Sequence, residues 1–110
     1  MANLILDERD QQFILYEMLE VEKLCGYEKF ADFSKDMFDM ILTEAQKMAV
    51  EEIFPTLKEG DEQGATLADG KVSVPKCFHR VFKLFREGGW IGMTFPPEQG
   101  GQGLPESVRA

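Results

Sequence analysis

The sequence predicts an all-α fold: a small bundle of three to four helices with an irregular C-terminal segment rich in glycine and proline. Three observations support this prediction. Apolar residues recur every three or four positions in three separate segments, as they do on one face of a helix. Only one short stretch, "KVSV" at 71–74, favours an extended strand. Residues 88–105 combine glycine and proline with large apolar side chains, which is typical of a packed but irregular segment.

The first predicted helix spans residues 10–24, "DQQFILYEMLEVEKL". Its apolar side chains fall close to helical spacing, at Phe13, Ile14, Met18, Leu19 and Val21. Gly26 stands where a glycine often follows the end of a helix. We expect an amphipathic helix here, followed by the short connector "YEKFADF".

The second predicted helix spans residues 35–54 and has the clearest periodicity. Its apolar positions form one stripe, with charged residues elsewhere: Met37, Phe38, Ile41, Leu42, Ala45, Met48, Ala49 and Ile53. Ser34 or Asp36 could cap its first turn. Pro55 restricts the preceding residue and is expected to kink or end the helix.

The polar middle, "PTLKEGDEQGATLADGKVSV", is predicted to form loops or a short helix, with glycines spaced like turns. Its acidic residues prompt a comparison with a calcium-binding loop that would start at Asp61. Gln63 and Ala65 replace the next oxygen ligands, however, and Val72 stands where the closing carboxylate should be. The sequence therefore predicts no calcium site.

The third predicted helix spans residues 75–87, starting at Pro75 and ending at the Gly88-Gly89 pair. One face is apolar, and its central Phe82 is expected to be fully buried. Another face is basic: Lys76, Arg80, Lys83 and Arg86. The favoured interpretation is a solvated basic face; the alternative is a face that meets an acidic surface, either residues 1–62 or another domain.

Charge and composition limit the classes of partner. The net charge is −8 at pH 7, with −10 in residues 1–62 and +2 in residues 63–110. Such a chain is a poor general nucleic-acid binder, because phosphate contacts need clustered lysine and arginine. No run approaches the ~20 apolar residues of a membrane span. The first residues lack the pattern of a targeting peptide, and Cys25 and Cys77 are expected to be reduced thiols, so a cytoplasmic protein is predicted.

The sequence offers no complete catalytic or metal-binding constellation. His79 is the only histidine and has no acid nearby to orient it, so we expect a structural or solvent-exposed side chain. Neither cysteine has metal-ligand spacing. "GGQG" at 100–103 lacks the GxGxxG spacing of a dinucleotide site, and no strand precedes it. No catalytic, cofactor-binding or metal-binding residue is predicted.

One string is specific enough to indicate a family. "VSVPKCFHRVFKLFREGGWIGMTFPPEQGGQGLP" resembles the N-terminal helical domain of the acyl-CoA dehydrogenases, with its proline-started helix before "GGW" and the later "P-E-Q-G-G-x-G-L". "EAQKMAVEEIFPTLKEGDEQGATLADGKV" resembles the same domain. "FILYEMLEVEKL" is similar to the N-terminal extension of the larger bacterial members. The resemblance covers about residues 15–105 and suggests an extension at 1–30 and a helical domain at 31–110, or one compact domain containing both.

The resemblance implies a parent flavoenzyme that binds FAD and dehydrogenates acyl-CoA thioesters at the α,β-carbons. Its β-rich flavin domain and C-terminal helical domain, which carries the catalytic glutamate, would be the partners of this chain. The chain ends where "PESVRA" should open a further helix, so we expect a fragment or excised domain that is inactive alone. The alternative is a stand-alone helical module, derived from that domain, that only binds a protein partner.

The glycine-rich segment is then predicted to form a domain junction or to contact the acyl cavity. The candidate residues are Trp90, Met93, Phe95, Gly100, Gly101 and Gly103. Glycines allow tight turns and the close approach of another element, and the large apolar side chains are of the kind that marks an interaction surface. If this surface is left uncovered, a weak homodimer is expected.

Overall fold

A computed structural model describes residues 3–110 and confirms the mainly α prediction. Residues 3–110 form five α-helices: α1 (Glu8–Gln12), α2 (Lys35–Met48), α3 (Leu57–Gln63), α4 (Lys76–Glu87) and α5 (Glu106–Arg109). In the same part of the chain, one two-stranded antiparallel sheet joins β1 (Thr66–Ala68) to β2 (Lys71–Ser73). No helix within residues 3–110 has the length and apolar character needed to cross a membrane.

The first predicted helix is real but shorter and less regular than 10–24. Asp7 caps α1 by accepting from the backbone N–H groups of Arg9 and Asp10, and a π-helical turn, Phe13–Met18, continues α1. The helix breaks at Glu20, whose φ of 49° is left-handed, and a 3₁₀ helix, Val21–Gly26, follows. The break turns Val21 into the core, where it is 3% exposed.

The second predicted helix is α2 followed by several irregular turns. Ser34 caps it by accepting a hydrogen bond from the Met37 N–H. Beyond Met48 the chain continues through a π-helical turn, Ala49–Ile53, and a 3₁₀ turn, Phe54–Thr56, into α3. Pro55 therefore changes the helix type without reversing the chain, and the predicted short helix of the polar middle is α3.

The polar middle also contains a β-hairpin whose first strand was not predicted from the sequence. Asp69 and Gly70, with φ of 52° and 75°, form the turn, and Leu67 pairs with Val72. An Asp-Gly dipeptide between short runs of strand-forming residues is a strong hairpin signal. All six strand residues are exposed.

The core lies where the N-terminal segment, α2 and the C-terminal segment meet. Its buried members, which we call the closed core, are Leu15, Val21, Phe38, Met93, Leu104 and Val108. Phe38 is 0% exposed and stacks on Phe33 with ring centroids 5.9 Å apart. A polar network flanks this core, because the Tyr16 hydroxyl and the Lys35 ammonium donate to the Asp39 carboxylate at 2.6 and 2.8 Å.

Outside the closed core the chain is extended, and this raises the dimensions of the whole molecule. The radius of gyration is 17.0 Å and the principal dimensions are 53 × 36 × 18 Å, whereas a compact domain of this size has a radius of gyration of about 13 Å. Residues 54–87, which we call the arm, contain no buried large hydrophobic side chain. The prediction that Phe82 is fully buried is wrong: it is 57% exposed, because no element of residues 3–110 covers that face of α4.

Candidate functional site

The glycine-rich segment folds back on itself next to the closed core. The Leu104 N–H donates to the Met93 carbonyl at 3.1 Å, and the Gly103 N–H donates to the Phe95 carbonyl at 2.9 Å. Gly100 and Gly103 have φ of 87° and 69°, which residues with a Cβ rarely adopt. These bonds close a tight loop between Met93 and Leu104.

Glycine is required at position 101 for a different reason: there is no room for a side chain. A Cβ at this position would overlap the Phe95 carbonyl and lie 2.6 Å from the Gly92 oxygen. The close approach that the sequence predicted at these glycines is therefore made, at Gly101, by the loop's own backbone.

The three large candidate residues have different environments. Met93 is 6% exposed and belongs to the closed core. Trp90 is half-buried against that core, and Phe95 is 55% exposed. The segment thus anchors one apolar side chain inside while presenting another to solvent.

Trp90 stands at the edge of an open apolar groove of about 430 Å³. One wall comes from α2, one from the end of α4, and the rest from the glycine-rich segment and α5. The lining side chains, which define the apolar groove, are Ile41, Leu42, Ala45, Phe85, Trp90, Ile91, Met93, Val108 and Arg109. A second cleft of about 220 Å³ also borders Trp90 and contains Glu44 and Gln102.

Arg109 is the one charged side chain that lines the apolar groove, and it is already paired. Its Nε donates to Glu106 Oε2 at 2.7 Å, and this hydrogen bond, with a further one from Thr94, holds the pKa of the Glu106 carboxyl below its usual value. The groove therefore offers apolar contact and contains no residue positioned as a nucleophile or general base.

The other titratable candidates lie apart from the groove. His79 is exposed on α4. Cys25 and Cys77 are half-buried free thiols, and the Cys77 Sγ lies 3.9 Å from the Thr56 carbonyl. Within residues 3–110 no group of three or more potential metal ligands comes together.

Some residues on the basic face of α4 form ion pairs, and others are exposed to solvent without a partner in residues 3–110. Arg80 forms an ion pair with Glu52, which lies in the acidic residues 1–62, and Lys83 lies 3.9 Å from Glu87 on its own helix. Lys76 and Arg86 have no ion-pair partner within residues 3–110. Both interpretations of this face thus apply, to different residues.

The sequence did not predict an exposed apolar surface next to this basic face. Phe78, Phe82 and Phe85 lie at helical spacing on α4 and are 37%, 57% and 36% exposed. We call this row the phenylalanine stripe. Three phenylalanines at i, i+4 and i+7 were visible in the sequence, but the pattern alone predicts burial and does not show what covers them.

Comparison with known proteins finds two similar enzymes, and no family model matches the chain. The chain is 28% identical over 102 residues to the 3-methylmercaptopropionyl-CoA dehydrogenase of Ruegeria pomeroyi. It is 30% identical over 103 residues to the broad-specificity linear acyl-CoA dehydrogenase FadE5 of Mycobacterium tuberculosis. These alignments cover 93% and 91% of the chain but only 17% of each relative. The chain is therefore similar to a segment of two acyl-CoA dehydrogenases and spans about one sixth of their length.

Proposed function

We propose that this chain supplies a helical part of an acyl-CoA dehydrogenase-like flavoenzyme and is inactive alone. The observation that supports this most directly is that two acyl-CoA dehydrogenases align with over 90% of the chain. The relatives' names differ in acyl group, one 3-methylmercaptopropionyl and one linear, so the shared segment favours the general reaction and no particular substrate. The position of this part at the N-terminus of the parent, with an extension at 1–30 and a domain at 31–110, belongs to the same proposal, as does a cytoplasmic location.

The apolar groove of this chain does not fit the FAD that the resemblance implies. A dinucleotide needs backbone N–H groups at a helix N-terminus, or free cations, to hold its pyrophosphate. The apolar groove offers neither, because its one cation, Arg109, is held by Glu106. We therefore assign flavin binding, and the chemistry of the thioester, to the parts of the parent enzyme that lie outside this chain.

The role left for this chain is contact. The apolar groove and the phenylalanine stripe are exposed on residues 3–110, and exposed apolar surface of this kind usually marks an interaction site. In the parent enzyme these surfaces would pack against the flavin and C-terminal domains. The glycine-rich segment would then act as the junction, with Met93 anchored in the closed core.

A chimera tests the proposal. The aligned segment of the mycobacterial FadE5 enzyme would be replaced by this chain, and flavin content and acyl-CoA dehydrogenation would be measured. We expect a flavin-loaded, active enzyme. The matched control replaces the same segment with that of the Ruegeria enzyme.

If the control chimera is active and the chimera with this chain has neither flavin nor activity, the proposal is wrong. The stand-alone interaction module then becomes the better interpretation. The isolated chain, by contrast, is expected to bind no FAD at micromolar concentration and to reduce none with any acyl-CoA.

A further inference from the structure

Helix α4 has two apolar rows, and only one of them faces the rest of the chain. Cys77, Val81 and Leu84, at i, i+4 and i+7, are half-buried. The phenylalanine stripe is offset from that row by one residue and is exposed over its whole length. Phe78 touches α3 at Gly60, yet it remains 37% exposed. An apolar stripe of a helix normally faces a packed neighbour, and Phe82, at the centre of this one, is 57% exposed.

The residues beside the uncovered row are basic. Moving one position along the helix from each phenylalanine gives His79, Lys83 and Arg86, which form the exposed flank of the phenylalanine stripe. Arg86 has no ion-pair partner within residues 3–110, and Lys83 reaches Glu87 only at 3.9 Å. Anything that lies on the stripe would therefore meet two poorly paired cations along one edge.

The stripe leads into a concave surface. Phe85 is both the last residue of the phenylalanine stripe and part of the lining of the apolar groove. Ile91, 51% exposed, lies on the same lining. The stripe and the groove therefore meet at Phe85, and an elongated apolar element could contact both.

We propose that the phenylalanine stripe and the adjoining groove bind an amphipathic helix whose apolar face is flanked by carboxylates. The apolar face would cover Phe82 and enter the groove beside Phe85. The carboxylates would pair with Lys83 and Arg86. The inference rests on the proposed function in one respect, namely that this surface contacts another protein element. It adds the chemistry of that element.

Charge and shape favour this occupant over two others. A second copy docking α4 against α4 would bring like-charged flanks near one another, because Lys83 and Arg86 lie along the edge of the stripe in both copies. A basic amphipathic helix can also lie on an anionic membrane. A flat bilayer, however, cannot follow the concave groove between α2, α4 and α5, whereas side chains projecting from a helix can enter it.

Two designed helical peptides test the proposal with the isolated 110-residue chain. Both have about 18 residues, about 27 Å of helix, and the same leucine face; one has glutamates beside that face and the other lysines. Binding would be followed by the fluorescence of Trp90, the only tryptophan, which lines the groove. We expect the glutamate peptide to bind at least threefold more tightly, with a preference that falls as salt is added.

Substitutions on the surface locate the site. Phe82→Ser should weaken binding of the glutamate peptide at least tenfold, whereas Met18→Ser, which removes a similarly exposed apolar side chain (62%), should leave it unchanged. Lys83→Glu with Arg86→Glu should reverse the preference towards the lysine peptide. The matched control, Lys71→Glu with Lys76→Glu, changes the net charge equally and should not reverse it.

Other results would overturn the inference: no binding of either peptide at millimolar concentration, equal or tighter binding of the lysine peptide, or full binding by Phe82→Ser. Binding to phosphatidylserine vesicles without binding to the glutamate peptide would indicate a membrane surface instead. A dimer that protects Phe82 in sedimentation and labelling experiments would indicate a second copy. The chimera assay separates the two proposals. An active chimera together with no peptide binding would contradict only this inference. Peptide binding together with an inactive chimera would contradict only the proposed function.

Discussion

The closed core and the arm are both built from amphipathic helices, yet they differ completely in burial. In the closed core, Phe38 of α2 is 0% exposed, because it packs in one cluster with side chains of the N-terminal segment and of the glycine-rich segment. In the arm, Phe82 of α4 is 57% exposed, because the helix has a neighbour on one side only. The apolar pattern of a helix therefore predicts that one face packs against a partner. It does not indicate whether that partner belongs to the same chain.

The largest expected effect comes from phenylalanine truncation in the two regions. Phe38→Ala should lower the free energy of unfolding by ~3–5 kcal/mol, because it removes a fully buried ring and leaves a cavity. Phe82→Ala should cost under ~1 kcal/mol, since the ring is already mostly in water. Urea denaturation of the two variants beside the wild type measures both. Equal losses would show that α4 is covered in solution and would remove the contrast between core and arm.

Glycine-to-alanine substitutions should repeat the contrast at a smaller scale. Gly101→Ala should destabilise by ~1–3 kcal/mol, because its Cβ would meet the backbone of Phe95 and Gly92, which cannot move aside cheaply. Gly60→Ala meets only the end of the Phe78 ring. That ring can rotate away, and alanine gains ~1 kcal/mol of helix propensity in α3, so the net change should be near zero. Thermal melting of both variants checks this, and a loss at Gly60 as large as that at Gly101 would contradict it.

The polar network beside the closed core should give a pH-dependent effect of about 1 kcal/mol. Burial pushes the pKa of Asp39 upward, but hydrogen bonds from Lys35 and Tyr16 outweigh it, so the pKa is lowered. A lowered carboxyl pKa gives stability that is present above the unfolded-state value, about 3.9, and is lost as the pH falls through the folded value. Asp39→Asn should therefore be less stable than wild type at pH 7, and the difference should shrink below about pH 4. Denaturation curves from pH 3 to pH 7 test this; a difference that grows on acidification would contradict the sign.

The smallest effect expected is self-association. Trp90 and Phe95 leave apolar surface exposed, and a few hundred Å² of it at ~25 cal/mol per Å² is worth several kcal/mol if covered. The cost of association is of similar size, and the charge of −8 opposes it. We expect a weak dimer at high concentration, favoured by salt and burying one of these rings. Sedimentation at several concentrations decides it, and a monomer at millimolar protein in high salt would contradict it.

The sequence predicted the elements of this fold better than their surroundings. The boundaries of α4 were predicted within one residue, because Pro75 and Gly88 mark both ends. The break at Glu20 was not, since it depends on Val21 reaching a core built from distant residues. The burial of Phe82 was predicted wrongly for the same reason. The spacing of apolar residues is a local property of the sequence, whereas the burial of a side chain depends on tertiary contacts.

The candidate site shows the same division. The glycine-rich segment was predicted to combine turns with the close approach of another element. Gly100 has a turn conformation, whereas the close approach at Gly101 is made by the loop's own backbone, and contact with another domain stays a prediction. The apolar groove could not be predicted, because it is formed by α2, α4 and α5 together, and α5 follows α2 by more than fifty residues. The spacing of apolar residues within one segment does not predict a surface that three separate helices form together.

The order of the closed core along the chain has a consequence for biosynthesis. Phe38 shares the closed core with Met93, which is translated 55 positions later, and with Leu104 and Val108, later still. At ~5–20 residues per second, the ribosome needs roughly 3–11 s to add those 55 residues. During that interval α2 has emerged without its cover, and the phenylalanine stripe emerges before the core can close. The nascent chain therefore passes through a period of seconds in which the apolar side of α2 is open to aggregation in addition to the phenylalanine stripe, which stays exposed in the folded chain.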